Sequence, residues 1–210
     1  MATTTWETFY PYILPYLPGC PEVVIETHLQ EAAAKFCAES EVWRYTIDSD
    51  YTSDGTSDYE IDVTSGTLLE SILFFYVNGS PLTRVADRHF SIPINQDGSD
   101  IKGAPIYVSI LDDKSVRLYP TPDGKYTFNG VVVLKPKLSA TGVEDFIYDT
   151  HGRTISSGAI SRLAEIPNKE WSNPELSMQH RFEFSRGITN AKGRDTRRVN
   201  LRVSSIGFAD

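Results

Sequence analysis

The chain has 210 residues, 40% of them hydrophobic and 23% charged, enough for one domain, or one domain with an insertion, around a buried core, and too apolar for intrinsic disorder. Its 20 basic and 28 acidic residues give a net charge of −8. That balance argues against a dedicated nucleic-acid binder, which needs a basic surface to displace counterions from phosphates.

The first segment, "MATTTWETFYPYILPYLPG", lacks a basic start and is broken by Pro11, Pro15 and Pro18, so it does not read as a secretion signal. Phe9, Tyr10, Ile13, Leu14 and Tyr16 predict a short helix or hook, each proline ending a turn. Pro21 is placed at the first position of a long helix, with Glu22 and Glu26 at its positive end. Ile25, Leu29, Ala32, Ala33, Phe36, Cys37 and Trp43 keep helical spacing, and the alanines Ala32 to Ala34 allow close approach of a neighbour. Cys20 and Cys37 would stand about 25 Å apart on this helix, too far for a disulfide. They read as two reduced thiols of a protein made in the cytoplasm.

From Arg44 the pattern is that of strands. "YTIDSDY" and "YEIDV" alternate with period two, "SILFFYVNGSPLTRV" reads as a hairpin around Asn78-Gly79, and "PIYVSILDDKSVRLYPTP" as a second around Asp112, Asp113 and Lys114. "KYTFNGVVVLKPKL" is another strand, with Gly130 as a bulge candidate. "SILFFYV", the longest apolar run, is well short of the ~18 residues of a membrane span. Helical spacing returns after Ala140. A short helix and a longer one are predicted in "GVEDFIYDTHGRTISSGAISRLAEIP", where Gly158, Ala159 and Ser161 keep one face narrow. A last helix follows in "SNPELSMQHRFEFSRGITNAK". Ser172 and Glu175 have capping-box spacing and Pro174 suits the first turn. Leu176, Phe184, Ile188 and Ala191 form its apolar line, widened by Phe182. In "GRDTRRVNLRVSSIGFAD" the helical period is lost, and Val199, Leu201 and Val203 alternate with polar residues as in a strand.

The expected fold class is therefore α+β: a helical bundle from residues 1–43 and 139–193, an inserted antiparallel β-domain at 44–138, and an extended C-terminal tail at 194–210.

Catalytic and cofactor signatures are missing. There is no GxSxG, HExxH, GxxxxGK[ST] or GxGxxG, and His28, His89, His151 and His180 read as structural or exposed. Cys20, His28 and Cys37 lack zinc spacing. In "DYTSDGTSDYEI" Asp50, Thr52, Asp54, Gly55 and Asp58 fit positions of a calcium loop, but position 12 is Ile61 and the flanks read as strands, so a solvated acidic hairpin is preferred. No catalytic residue, metal or cofactor is expected. Charge is segregated instead. Residues 39–70 are acidic, whereas Arg181, Arg186, Lys192, Arg194, Arg197, Arg198 and Arg202 make the C-terminal part basic. Arginines interleaved with Val199, Leu201 and Val203 suit docking into a protein groove.

Three stretches resemble one known family. They are "LPGCPEVVIETHLQEAAAKFCAESEVWRY", "VRLYPTPDGKYTFNGVVVLKPKL" and "ISSGAISRLAEIPNKEWSNPELSMQHRFEFSRGITNAK". In this order they resemble the head-to-tail adaptor proteins of tailed bacteriophages, including the tail-tubular ring proteins. The resemblance implies a non-enzymatic virion protein of the neck or tail: a homo-oligomeric ring, usually of twelve copies, between the portal protein and a downstream tail or nozzle protein. DNA would pass through its lumen without specific binding, and no membrane is involved. It further implies that Arg194, Arg197, Arg198, Val199, Leu201 and Val203 dock into the portal. Asp50, Asp54 and Asp58 would lie on a loop facing a neighbouring subunit or the next tail ring. The alternative from a different class is a virion or surface module recognising carbohydrate through Tyr51, Tyr59, Trp171 and the acidic loop.

Overall fold

The computed structural model describes residues 2–52, 55–86 and 100–203. The chain divides into two compact units, Met1–Val42 with Pro136–Asp210, and Trp43–Lys135.

In the first unit, strand β1 (Thr3–Thr5) pairs antiparallel with β10 (Gly142–Glu144), Thr3 opposite Glu144 and Thr5 opposite Gly142. A side chain at position 142 would meet the Thr4 carbonyl oxygen at 2.0 Å from its Cβ, so only glycine permits this pairing. A 3-10 turn (Trp6–Phe9) and the short helix α1 (Tyr10–Ile13) follow β1. They bury Trp6, Phe9 and Ile13, Leu17 is buried just beyond them, and the Trp6 Nε1–H donates to the Ala140 carbonyl at 2.6 Å. Pro11 lies in the first turn of α1 rather than ending it, as its missing N–H allows.

Helix α2 (Glu22–Ser40) is flanked by Pro21 in extended conformation, and its buried line runs through Ile25, Leu29, Ala32, Ala33, Phe36 and Cys37. It stops earlier than Trp43 suggested. Glu41 is left-handed, with φ 58°, and its N–H closes on the Cys37 carbonyl. No glycine or proline marks that stop. Helix α3 (Asp145–Ala164) runs unbroken through Gly152, where a short and a longer helix were expected. It packs against both α2 and the last helix, α4 (Pro174–Val203). The cap of α4 is Asn173, whose Oδ1 accepts the Leu176 N–H at 3.1 Å. Ser172 instead bonds back to the Ile166 carbonyl and receives the Lys169 N–H.

Among the described residues the second unit holds two four-stranded sheets. One is ordered β2 (Arg44–Tyr51), β9 (Thr127–Pro136), β4 (Thr67–Val77), β5 (Ser80–Pro81); the other β3 (Asp58–Glu60), β8 (Ser115–Tyr119), β7 (Tyr107–Ile110), β6 (Thr83–Arg84). β4 and β5 turn through Asn78 and Gly79, both at positive φ (48° and 76°), the signature of a tight two-residue hairpin. Asp112 closes the β7–β8 turn by accepting the N–H groups of Lys114 and Ser115 at 2.9 and 2.8 Å. The β2–β9 register shifts between Ile47 and Asp50, so the irregularity lies on β2. Gly130 pairs with Ile47 beside it, and a Cβ there would come within 2.8 Å of the Phe74 carbonyl of β4. Phe75 and Phe128 stack at 5.5 Å in the core of this unit.

The expected fold class is corrected in three respects. The terminal parts do not form a plain helical bundle, because they carry the β1–β10 sheet and a 3-10 turn beside their helices. Among the described residues the strands form three sheets, two in the second unit and one in the terminal parts, and β6 runs parallel to β7, so the insertion is not purely antiparallel. The tail is not extended at its start: α4 continues to Val203. Prolonging an existing helix gains a backbone hydrogen bond per residue without a new nucleation cost, and no proline intervenes after Pro174. Three alternating apolar residues do not outweigh that. The result is an α+β fold, with three sheets among the described residues.

Candidate functional site

The residues assigned to docking are distributed as follows. Arg194, Arg197, Arg198, Val199, Leu201 and Val203 all lie on the last turns of α4. Arg194, Arg198 and Arg202 recur every fourth residue, a spacing that sets backbone positions along one side of a helix. Asp50 is near the end of β2, opposite Phe128, and Asp54 falls outside the described residues, as does His89. Asp58, on β3, does not reach outward for a partner. Arg117 of β8 grips it with two hydrogen bonds, Nε to Oδ1 at 2.7 Å and Nη2 to Oδ2 at 3.0 Å. That fork, aided by the Ser57 hydroxyl, holds its carboxyl below the usual range. Among the described residues no three His, Cys, Asp or Glu side chains gather as metal ligands. Tyr59, assigned to sugar binding, packs on Phe128 at 5.4 Å and donates its hydroxyl to the Thr56 carbonyl. Trp171 belongs to the other unit.

The outward side of α4 is unusual in its chemistry. The buried line of the helix is Ser177, His180, Phe184, Ile188 and Ala191, spaced three and four residues apart. Phe182 does not widen it. Two residues from both His180 and Phe184, it points about 200° away and is 68% exposed. Met178, one turn earlier, is 72% exposed. Two large apolar side chains therefore stand one turn apart on the solvent side of a helix about 45 Å long.

No protein-family model and no curated protein matches this chain.

A second constellation was not foreseen. His180 of α4 is only 5% exposed. Its Nδ1 stands 3.2 Å from the Ser157 hydroxyl of α3 and 3.4 Å from the Glu183 carboxylate, and Ser157 Oγ–H reaches the same carboxylate oxygen at 3.3 Å. These side chains border a cleft of about 460 Å³, with Tyr12, Tyr16 and Arg153 at its rim. Serine, histidine and glutamate in contact invite comparison with a hydrolytic triad, but the geometry is wrong. A relay needs the hydroxyl on one ring nitrogen and the carboxylate on the other. Here both crowd Nδ1, so the imidazole cannot pass a proton from serine while held by the acid.

The arrangement fixes the ring's tautomer. A carboxylate oxygen only accepts, so Ser157 donates to Glu183 and its Oγ accepts from Nδ1–H. Nε2 is left as an acceptor, buried and without a hydrogen-bond partner among the described residues. Burial pulls the His180 pKa below its ordinary 6.5, with Glu183 opposing. The unfolded chain therefore takes up a proton at higher pH than the folded one. The stability linked to this histidine is complete above pH 6.5 and is lost as pH falls through 6.5 towards the lower folded pKa. Thermal unfolding between roughly pH 7 and pH 5 is expected to show a steeper loss in the parent than in His180→Phe, and parallel curves would refute the assignment.

Helix periodicity could have flagged this site. His180 and Ser177 fall on the buried line of α4, and Ser156 and Ser157 on the buried side of α3, so two helices meet through polar groups.

Proposed function

We propose that the chain is a structural virion protein: a head-to-tail adaptor that assembles as a ring between the portal and the tail and surrounds the path of the ejected DNA. The observation that carries the reading is the exposed Met178–Phe182 pair on α4. An apolar pair displayed at one-turn spacing is the kind of anchor that helix-mediated protein association uses. The resemblance of three ordered stretches, residues 17–45, 116–138 and 155–192, supplies the identity of the assembly. The net charge of −8 agrees with a channel that DNA traverses without sticking, because like charge leaves the phosphates hydrated and their counterions in place. Among the described residues no helix is long and apolar enough to cross a membrane.

In this reading the portal receives the basic end of α4 as a helix, with Arg194, Arg197 and Arg198 facing acidic groups. Ring geometry then makes successive dockings nearly intramolecular, so weak single contacts add up to a tight joint. Truncation after Gly193 tests the assignment. The shortened chain should keep its thermal stability and lose binding to portal complexes in sedimentation. Undiminished co-sedimentation would remove the C-terminal end from the interface.

A further inference from the structure

The cleft at His180 has a built floor and a chemical requirement of its own, independent of ring assembly. His180 offers Nε2 as a bare acceptor, and the half-exposed carboxylate of Glu183 stands beside the same ring. Tyr16 lines the same cleft, stands edge-on to the imidazole with ring centroids 5.0 Å apart and is itself half exposed. Tyr12, on the same cleft, already shows what such a ring takes: the Arg153 guanidinium lies over it, 5.7 Å from its centre. Among the described residues no cation lies over Tyr16.

We propose that this cleft binds an organic cation carrying N–H donors, a guanidinium or primary ammonium group. It would donate to His180 Nε2, be neutralised by Glu183 and lie against Tyr16. The pieces agree in sign. An acceptor nitrogen and a carboxylate both call for a donor, and an aromatic face adds attraction for positive charge. An anion would need the opposite tautomer, which sets the Nδ1 lone pair against the Glu183 carboxylate. Arg153 adds a like charge at the rim, but it is exposed and drawn to Tyr12, so solvent screens much of its repulsion. Cations of this class come from two sources, an arginine side chain of a partner protein or a free amine.

The test is a titration of the intact, 15N-labelled chain with N-acetylarginine amide, putrescine and inorganic phosphate, followed at the His180 ring nitrogens and the Tyr16 ring. Saturable shifts with the arginine derivative or putrescine, and none with phosphate, are expected. Stronger binding of the former points to a partner's side chain, of the latter to a free amine. Glu183→Gln, at an exposed position that leaves the fold intact, should weaken binding roughly tenfold. Phosphate shifting these signals, an Nε2 that carries a proton at neutral pH, or affinity unchanged in Glu183→Gln would each overturn the proposal.

Discussion

Replacing Phe184 with alanine should lower the stability of the protein by about 3–5 kcal/mol, and the same change should reverse the effect of a second substitution at Gly158. Phe184 is a buried ring of α4 seated against Gly158 of α3, where no side chain intervenes. A Cβ at Gly158 would meet the Phe184 ring at 2.8 Å and the Ala32 Cβ of α2 at 3.1 Å, so three helices close on that glycine. In the parent, Gly158→Ala gains roughly 1 kcal/mol of helix propensity and loses about 1–3 kcal/mol to overpacking; it should destabilise. With alanine at 184 the closer clash is gone, a cavity is open, and Gly158→Ala should turn neutral or stabilising. Urea unfolding of the two single variants and the double variant measures the coupling. Simple additivity would mean that the contact does not govern the α3–α4 packing.

The second large effect concerns assembly rather than folding. Met178→Asp with Phe182→Asp should leave the folded subunit nearly as stable as the parent, within about 0.5 kcal/mol, because both side chains already face solvent. Oligomers should nonetheless be lost. Burial of two such side chains in an interface contributes about 3–6 kcal/mol, which corresponds to a factor of roughly 10² to 10⁴ in association, before the cost of burying a charge is added. Sedimentation velocity with and without portal complexes distinguishes the outcomes. Unaltered assembly would place the subunit interface elsewhere.

How far the sequence revealed this molecule depends on where the deciding force is local. The burial of Ile25, Leu29, Ala32 and Phe36 on α2 follows from spacing alone, because one helix meets one core. The Asn78-Gly79 turn was legible because its positive φ values favour those residues. Other features were settled by contacts distant in sequence. Ser172 has the spacing of a cap, but Asn173, one residue later, takes the role because Ser172 is held by the Ile166 carbonyl. The continuation of α4 to Val203 reflects helix propagation overriding a brief alternation. Phe182 was misplaced for an avoidable reason: two residues from a buried position is the far side of a helix.

The candidate sites divide in the same way. The basic character of the C-terminal end was visible in composition, but its helical backbone was not. Asp58 looked free for a neighbour, yet Arg117, fifty-nine residues away, engages it. The His180 cleft joins Ser157 to His180 across the α3–α4 contact, twenty-three residues apart. No linear motif encodes that meeting. It arises because each helix places a polar residue within its buried face, and those faces adjoin.

Association with copies of itself and with a portal is the claim from which the functional reading descends, and single-particle imaging of the full chain mixed with portal complexes tests it most directly. A closed ring of subunits seated coaxially on the portal is the expected image. Portal particles left bare beside free monomers, with the protein in excess, would contradict it.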